Sequence, residues 1–258
     1  MSSARADSAA DSADEARPLL TTARTTATTR TLSNYERLAC CYDAWASWER
    51  PYVEAGFNML ELRHRDDYLE VGCGTGRLLA MAGHFGGRCL GVDLSPRMCE
   101  VARQHCVEEL GNNAVGSRVR VVSGDAVQLL RAPPKGPDDD FFDKAACMFT
   151  LELFDEADAI QLLRGIRQHL RPKAPDDDNP SRLIVVSMSS DVKNKRSCAM
   201  SCYACCHRNC SCVVDCRPID VVSWVNAAGF MVNERFVLPM YGLAVELVDA
   251  RLPPPSAQ

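Results

Sequence analysis

The stretch Asp67-Tyr-Leu-Glu-Val-Gly-Cys-Gly-Thr-Gly-Arg-Leu-Leu79 permits very few local structures. Tyr68 to Val71 favour an extended backbone, glycines follow at alternate positions 72, 74 and 76, and Leu78, Leu79 and Met81 then recur at helical spacing. The reading is strand, tight turn, helix. Glycine suits such a turn because it reaches positive φ freely and lets backbone N–H groups approach a ligand at the start of the helix.

A glycine turn alone does not separate one nucleotide-type site from another. The dinucleotide fingerprint needs a third glycine three positions after the second, where this chain has Arg77. Arg77 carries a Cβ where that fold needs close helix–strand packing. Two acids sharpen the reading. After a second apolar run, Cys89 to Val92, Asp93 stands about 20 residues beyond the first glycine, where such folds place an acid on a ribose diol. Its carboxylate can accept from both hydroxyls, although a surface turn carboxylate is the plainer reading of Asp93 alone. A third run, Arg118 to Val122, ends in Ser123-Gly-Asp125-Ala126. Glu70, Asp93 and Asp125 thus follow three strands in register.

The chain of 258 residues, 47% hydrophobic, suffices for one sizeable core but not for two ordinary domains and a polar tail. Its formal charge is −5, with basic residues scattered, so no footprint for nucleic acid is expected. No apolar run approaches the roughly 20 residues that span a bilayer, and no charged-then-apolar leader opens the chain. A cytoplasmic location is expected. Residues 1–31 read as a disordered tail of Ser, Thr, Ala, Arg and Asp; the acid-free Leu19 to Arg30 leaves mitochondrial import as the alternative.

From 32 to 62 the residues Tyr35, Leu38, Tyr42, Trp45, Trp48, Tyr52 and Phe57 recur at three- and four-residue steps around Pro51, which predicts one or two amphipathic helices. Ser95-Pro96 marks a helix start, with Met98, Val101, Ala102 and Cys106 on one face to about Leu110, and Gly111 ends it. Pro133 to Asp140 is a polar loop. A fourth strand, about Asp143 to Phe149, leads into Thr150-Leu-Glu-Leu-Phe154 at its carboxyl end, where open α/β sheets place ligands. A helix opened by Asp155-Glu156 carries Ile160, Leu163, Ile166 and Leu170 and stops at Arg171-Pro172. An acidic insertion to Ser181 reads as a longer loop. The fifth strand is Arg182 to Met188, a helix Val221 to Ala228 follows Pro218, and Phe230 to Leu238 with Leu243 to Ala250 form a closing hairpin.

Fourteen cysteines would suit a secreted disulfide scaffold, but the length and complete α/β pattern favour reduced, small apolar residues. Seven of them, Cys198, Cys202, Cys205, Cys206, Cys210, Cys212 and Cys216, lie around His207. They are spaced too evenly for a zinc finger or ribbon. Packing as small hydrophobes, a metal or metalloid site, and regulatory disulfides remain open, with no metal ligand assigned.

The spacing Glu70-x-Gly72-x-Gly74-x-Gly76, with Gly91 to Arg103, Gly124 to Ala126, Phe149 to Asp155 and Asp215-Cys-Arg-Pro218, resembles the class I S-adenosylmethionine-dependent methyltransferases, and within them the type 11, ubiquinone/menaquinone-biosynthesis-type enzymes. The resemblance implies an α/β, Rossmann-like, seven-stranded, mostly parallel sheet with helices on both faces and an antiparallel last strand. It would occupy 32–251, with an N-terminal helical lid (32–62), a Cys-rich excursion (191–217) and a short tail (252–258). S-adenosyl-L-methionine is the implied cofactor, held by Tyr42, Glu70, Gly72, Cys73, Gly74, Thr75, Gly76, Asp93, Leu94, Met98, Asp125, Ala126 and Phe149. Asp93 would serve the ribose, Asp125 the adenine amine, and Met98 the adenine face. A small-molecule acceptor, quinone-like or other, would be methylated on carbon, oxygen, nitrogen or sulfur. Orientation alone can supply much of the roughly 7–11 kcal/mol available to such a reaction, so no base is obligatory. Glu152 is the candidate acid or base, its plainer alternative being an exposed loop carboxylate. The reading of a different class is a non-catalytic cofactor-binding or metal-responsive interaction protein that uses the Cys-rich segment.

Overall fold

The computed structural model describes residues 47–134, 141–174, 176–190 and 216–254. The expected tail 1–31, the part of the lid holding Tyr42 and Trp45, most of the polar loop at 135–140, and the cysteine cluster apart from Cys216 lie outside the described residues.

Among the described residues, the segments with a strong apolar period form the expected elements. In chain order these are α1 (Arg50–Met59), β1 (Tyr68–Val71), α2 (Arg77–Gly83), β2 (Cys89–Asp93), α3 (Pro96–Leu110), β3 (Val119–Ser123), α4 (Ala126–Leu129), β4 (Lys144–Met148), a 3-10 turn at Leu151–Leu153, α5 (Glu156–His169), β5 (Arg182–Met188), α6 (Val221–Ala227), β6 (Met231–Met240) and β7 (Leu243–Arg251). They build one seven-stranded sheet in the order β3-β2-β1-β4-β5-β7-β6. The first five strands in chain order are mutually parallel, and β7 runs antiparallel to both β5 and β6. The expected antiparallel last strand is therefore present.

Alternation along the strands divides the core between two faces. Leu69 and Val71 of β1 and Leu183 and Val185 of β5 pack with Leu162, Leu163 and Ile166 of α5 and Trp224 of α6. Tyr68, Ile184 and Val186 pack on the other face with Phe57 of α1, Leu78 and Leu79 of α2, and Ala102 of α3. Helices thus cover the sheet on both sides. Each fully buried Leu, Ile or Val contributes about 1.5–3 kcal/mol, and the central strands hold such residues on both faces.

Four local features differ from expectation or refine it. β4 stops at Met148, because Phe149 leaves the extended region with φ 47°. β6 continues past Leu238 to Met240, and Pro239 is tolerated there because the strand lies at the sheet edge. Tyr241 and Gly242, at φ 49° and 86°, form the two-residue hairpin turn whose twist suits antiparallel strands. The acidic insertion is strapped to the amino ends of the strands: Lys144 Nζ donates to Pro180 O at 2.8 Å, and Asn179 Nδ2 donates to Asp66 Oδ1 at 2.7 Å. Beside it Lys173 and Arg171 pair with Asp143, while Arg88 pairs with Asp67.

Candidate functional site

β1 and β4 are neighbours whose chains depart to opposite sides of the sheet, the switch point outside whose carboxyl ends open α/β sheets place their ligands. Parallel register brings the loop 72–76 after β1, Asp93 at the end of β2, and the turn 123–125 after β3 to the same edge.

The glycine turn is built as its sequence dictates. Gly72, Gly74 and Gly76 have φ of 73°, 50° and 76°. Positive φ favours glycine at all three positions, and packing adds a second bar at two of them. A Cβ on Gly72 would lie 2.2 Å from Thr150 Oγ1, and one on Gly76 would lie 2.8 Å from the Ala102 methyl. A Cβ on Gly74 would meet nothing within 4 Å, so that face of the turn looks into open space. Behind the turn, one stripe of α3 grips its carbonyls: His105 Nδ1 lies 3.2 Å from Thr75 O, and Cys106 Sγ donates to Gly76 O at 3.9 Å. Cys73 is buried against Gly91, so it contributes packing.

Asp93 does more than sequence reasoning anticipated. Its Oδ2 accepts from Gly74 N–H at 2.9 Å, its Oδ1 from Ser95 N–H at 2.9 Å, and its carbonyl from Gly124 N–H at 2.9 Å. One residue therefore ties together the loops after all three strands. Two carboxylate oxygens offer about four acceptor sites, so sites remain for a diol. Burial pushes the Asp93 carboxyl above its usual range, and the Ser95 and Gly74 N–H groups pull the other way. Ser95 caps α3 through Met98 N–H at 3.2 Å, as its sequence position predicts.

Asp125 is 9% exposed, and its Oδ1 accepts from Val127 N–H at 3.0 Å, capping α4 and fixing Ala126 beside it. Leu94 is half-buried in the turn after β2. Met98 is 1% exposed and belongs to neither apolar cluster of the core. Glu70 is 4% exposed, and its Oε2 has no hydrogen-bond partner. Burial and then the charge of Asp93 hold its carboxyl well above the usual range.

Just past β4, Phe149 is buried at the strained φ noted above, its N–H donating to Val186 O at 2.7 Å. Thr150, packed on Gly72, donates to Met148 O at 2.8 Å. A non-glycine residue at positive φ costs on the order of 1–3 kcal/mol, and such strain gathers at functional sites. Glu152 corrects the exposed-carboxylate alternative: it is 1% exposed, and its Oε2 accepts from Ser187 Oγ on β5 at 2.8 Å. Tyr42 lies outside the described residues.

Sequence reasoning missed Thr150, His105, Ser187 and the pair Arg77–Glu54, which joins the first residue of α2 to α1. For Arg77 a signal existed, since α2 has no acid in its first turn to answer a cation there. A serine within the otherwise apolar run Leu183 to Met188 was the corresponding signal for Ser187.

The open face at Gly74, the orphan Glu70 oxygen and the spare acceptor sites of Asp93 fit a cationic nucleoside. Comparison with known proteins agrees with that geometry. Residues 69–173 match the family model described as Methyltransferase domain. The chain is 25% identical over 113 residues to the sterol 4-C-methyltransferase of Caenorhabditis elegans, covering 44% of this chain and 30% of that protein. It is 38% identical over 72 residues to the malonyl-[acyl-carrier protein] O-methyltransferase of Serratia marcescens, covering 28% of each. The chain thus spans less than a third of the length of the curated relatives it matches. Among solved structures, magnesium protoporphyrin IX methyltransferase from Synechocystis PCC 6803 with bound SAH shares the fold at a TM-score of 0.54 and 12% identity, over 92% of this chain and 90% of that one.

Proposed function

We propose, from the premise that residues 69–173 form a class I methyltransferase domain, that this protein binds S-adenosyl-L-methionine and transfers its methyl group to a small-molecule acceptor. The observation that carries the reading is the convergence of Glu70, Asp93 and Asp125 at the ends of three adjacent parallel strands, around a turn whose Gly74 faces open space. When bound, the cofactor supplies an electrophilic methyl on a sulfonium. The chain's own residues do the rest. The turn 72–76 would hold the methionyl end, Asp93 would accept from the ribose, and Asp125 would accept from the adenine amine beside Ala126, with Leu94 and Met98 against the base. Phe149 and Thr150 close the opposite wall.

Glu152 takes a positioning role in this reading. Its bond to Ser187 holds the turn after β4 against β5, which fixes the wall on which the acceptor rests. Trp48, Tyr52 and Val53 pack on the same core face as Met148 and Phe149, which supports an acceptor with an apolar body. A quinone-like acceptor of the type 11 kind is one member of that class. Among the described residues no helix is long and apolar enough to cross a membrane, and a cytoplasmic site of action is proposed.

Incubating the protein with methyl-labelled donor and a cell metabolite extract tests the reading. The expected result is label in a small acceptor whose mass rises by one methyl unit. Donor binding without any labelled acceptor would favour a non-catalytic cofactor-binding protein instead.

A further inference from the structure

Glu70 is buried at the base of the glycine turn with Oε2 unpartnered. The titratable groups that face it are Tyr68 on its own strand, Cys73 in the turn, Cys89 and Asp93 on β2, Cys106 on α3 and Cys147 on β4. The Tyr68 hydroxyl and, from α2, the N–H of Leu79 favour its charged form, against burial and Asp93. Burial keeps the phenol and the four thiols protonated, so Asp93 is the charged neighbour, and its charge has the same sign. Nothing cationic among the described residues pairs with either acid. In a buried site of low dielectric, an arriving cation supplies the missing opposite charge.

The methyl donor and its demethylated product differ at this site by one charge, sulfonium against thioether. Resting on the methyl-transfer reading above, we propose that Glu70 senses that charge, holding a proton beside the thioether and surrendering it to solvent when the sulfonium binds. Donor binding then exchanges one cation for one proton. On transfer, sulfur keeps the electron pair of the broken S–CH₃ bond and becomes neutral, and Glu70 takes a proton back from solvent. The site thereby grips donor more firmly than product and favours turnover over product inhibition.

Titration calorimetry on the full chain tests this with S-adenosylmethionine and S-adenosylhomocysteine, each in two buffers of different ionisation enthalpy, from about pH 5 to about pH 7.5. The donor should release up to about one proton and the product none. Preference for the donor should therefore grow by up to about tenfold per pH unit. Glu70→Gln should still bind both ligands while the pH slope of that preference disappears. Equal proton counts for the two ligands, or a slope that survives Glu70→Gln, would overturn the inference while leaving the methyl-transfer reading intact. If neither ligand binds, that reading falls and this inference with it. Should Glu70→Gln not fold, the wild-type proton counts decide alone.

Discussion

At the scale of residues, the glycine turn separates folding from binding. Gly74→Ala places a methyl at φ 50° with no protein atom within 4 Å, so its folding cost is confined to the left-handed backbone, about 1–2 kcal/mol. The methyl intrudes where the ligand should lie. Gly76→Ala meets the same backbone cost and drives into Ala102, adding roughly 1–3 kcal/mol of overpacking. The expected outcome is that Gly74→Ala melts close to wild type and loses cofactor affinity, whereas Gly76→Ala loses stability first. Thermal melts and cofactor titrations on both variants check it, and the opposite ranking would misplace the open face. Asp93→Ala and Asp125→Ala should each weaken cofactor binding by about 1.5–3 kcal/mol, the range for hydrogen bonds to a charged group. Asp93→Ala should also destabilise the apo protein, since Gly74 and Ser95 N–H groups lose their acceptor. Calorimetry giving unchanged affinity for both variants would contradict their assigned roles.

At the scale of elements, α1 is held as part of the body rather than as a loose flap. Tyr52 Oη donates to Pro239 O at 2.6 Å, Glu54 pairs with Arg77, and Gly56 sits so close to β5 that a Cβ there would lie 2.4 Å from Val186 Cγ2. Gly56→Leu must lift α1 from the sheet, so it should cost at least about 3 kcal/mol in denaturant titration and disturb the wall beside Met148. A wild-type midpoint would mean that the helix can shift without penalty. These contacts show what the sequence could and could not disclose. Strand, turn and helix at 68–83 were legible because glycine spacing and apolar period agree, and Ser95-Pro96 was legible because capping chemistry is local. Asp93 was legible as the acid that closes β2 but not as the hub of three loops, because that role depends on the lateral order of β1, β2 and β3. Glu152 was legible in position but not in burial: its partner Ser187 is 35 residues away, and polar character alone predicts exposure. Non-local contacts leave no periodic trace.

At the scale of the whole molecule, five of the six cysteines within the described residues are buried and behave as hydrophobes, Cys216 being only partly buried, and this couples global stability to alkaline pH. Cys73, Cys89, Cys99, Cys106 and Cys147 are free and buried. Burial pushes Cys89 to about 12, and Cys99 and Cys106 each to about 11. Cys73 and Cys147 are raised well above the ordinary thiol range, also by burial first. In the unfolded chain a thiol ionises near 8.5, so above that pH the unfolded state sheds protons that the native state keeps. Stability from these thiols is complete below about pH 8.5 and is lost as pH climbs toward the folded values. Lys144 opposes them. Burial lowers it to about 8, against about 10.4 unfolded, so its contribution rises over the window in which theirs falls. Five thiols outweigh one lysine, and the unfolding free energy read from urea titrations should drop steeply between about pH 8.5 and pH 10, by a few kcal/mol per pH unit at full slope. Cys147→Ala should lower stability at pH 7 by leaving a small cavity, yet reduce the alkaline slope by one proton. A midpoint that stays level through this window, or a slope indifferent to Cys147→Ala, would mean that the thiols ionise inside the fold and that the core around the glycine turn admits water.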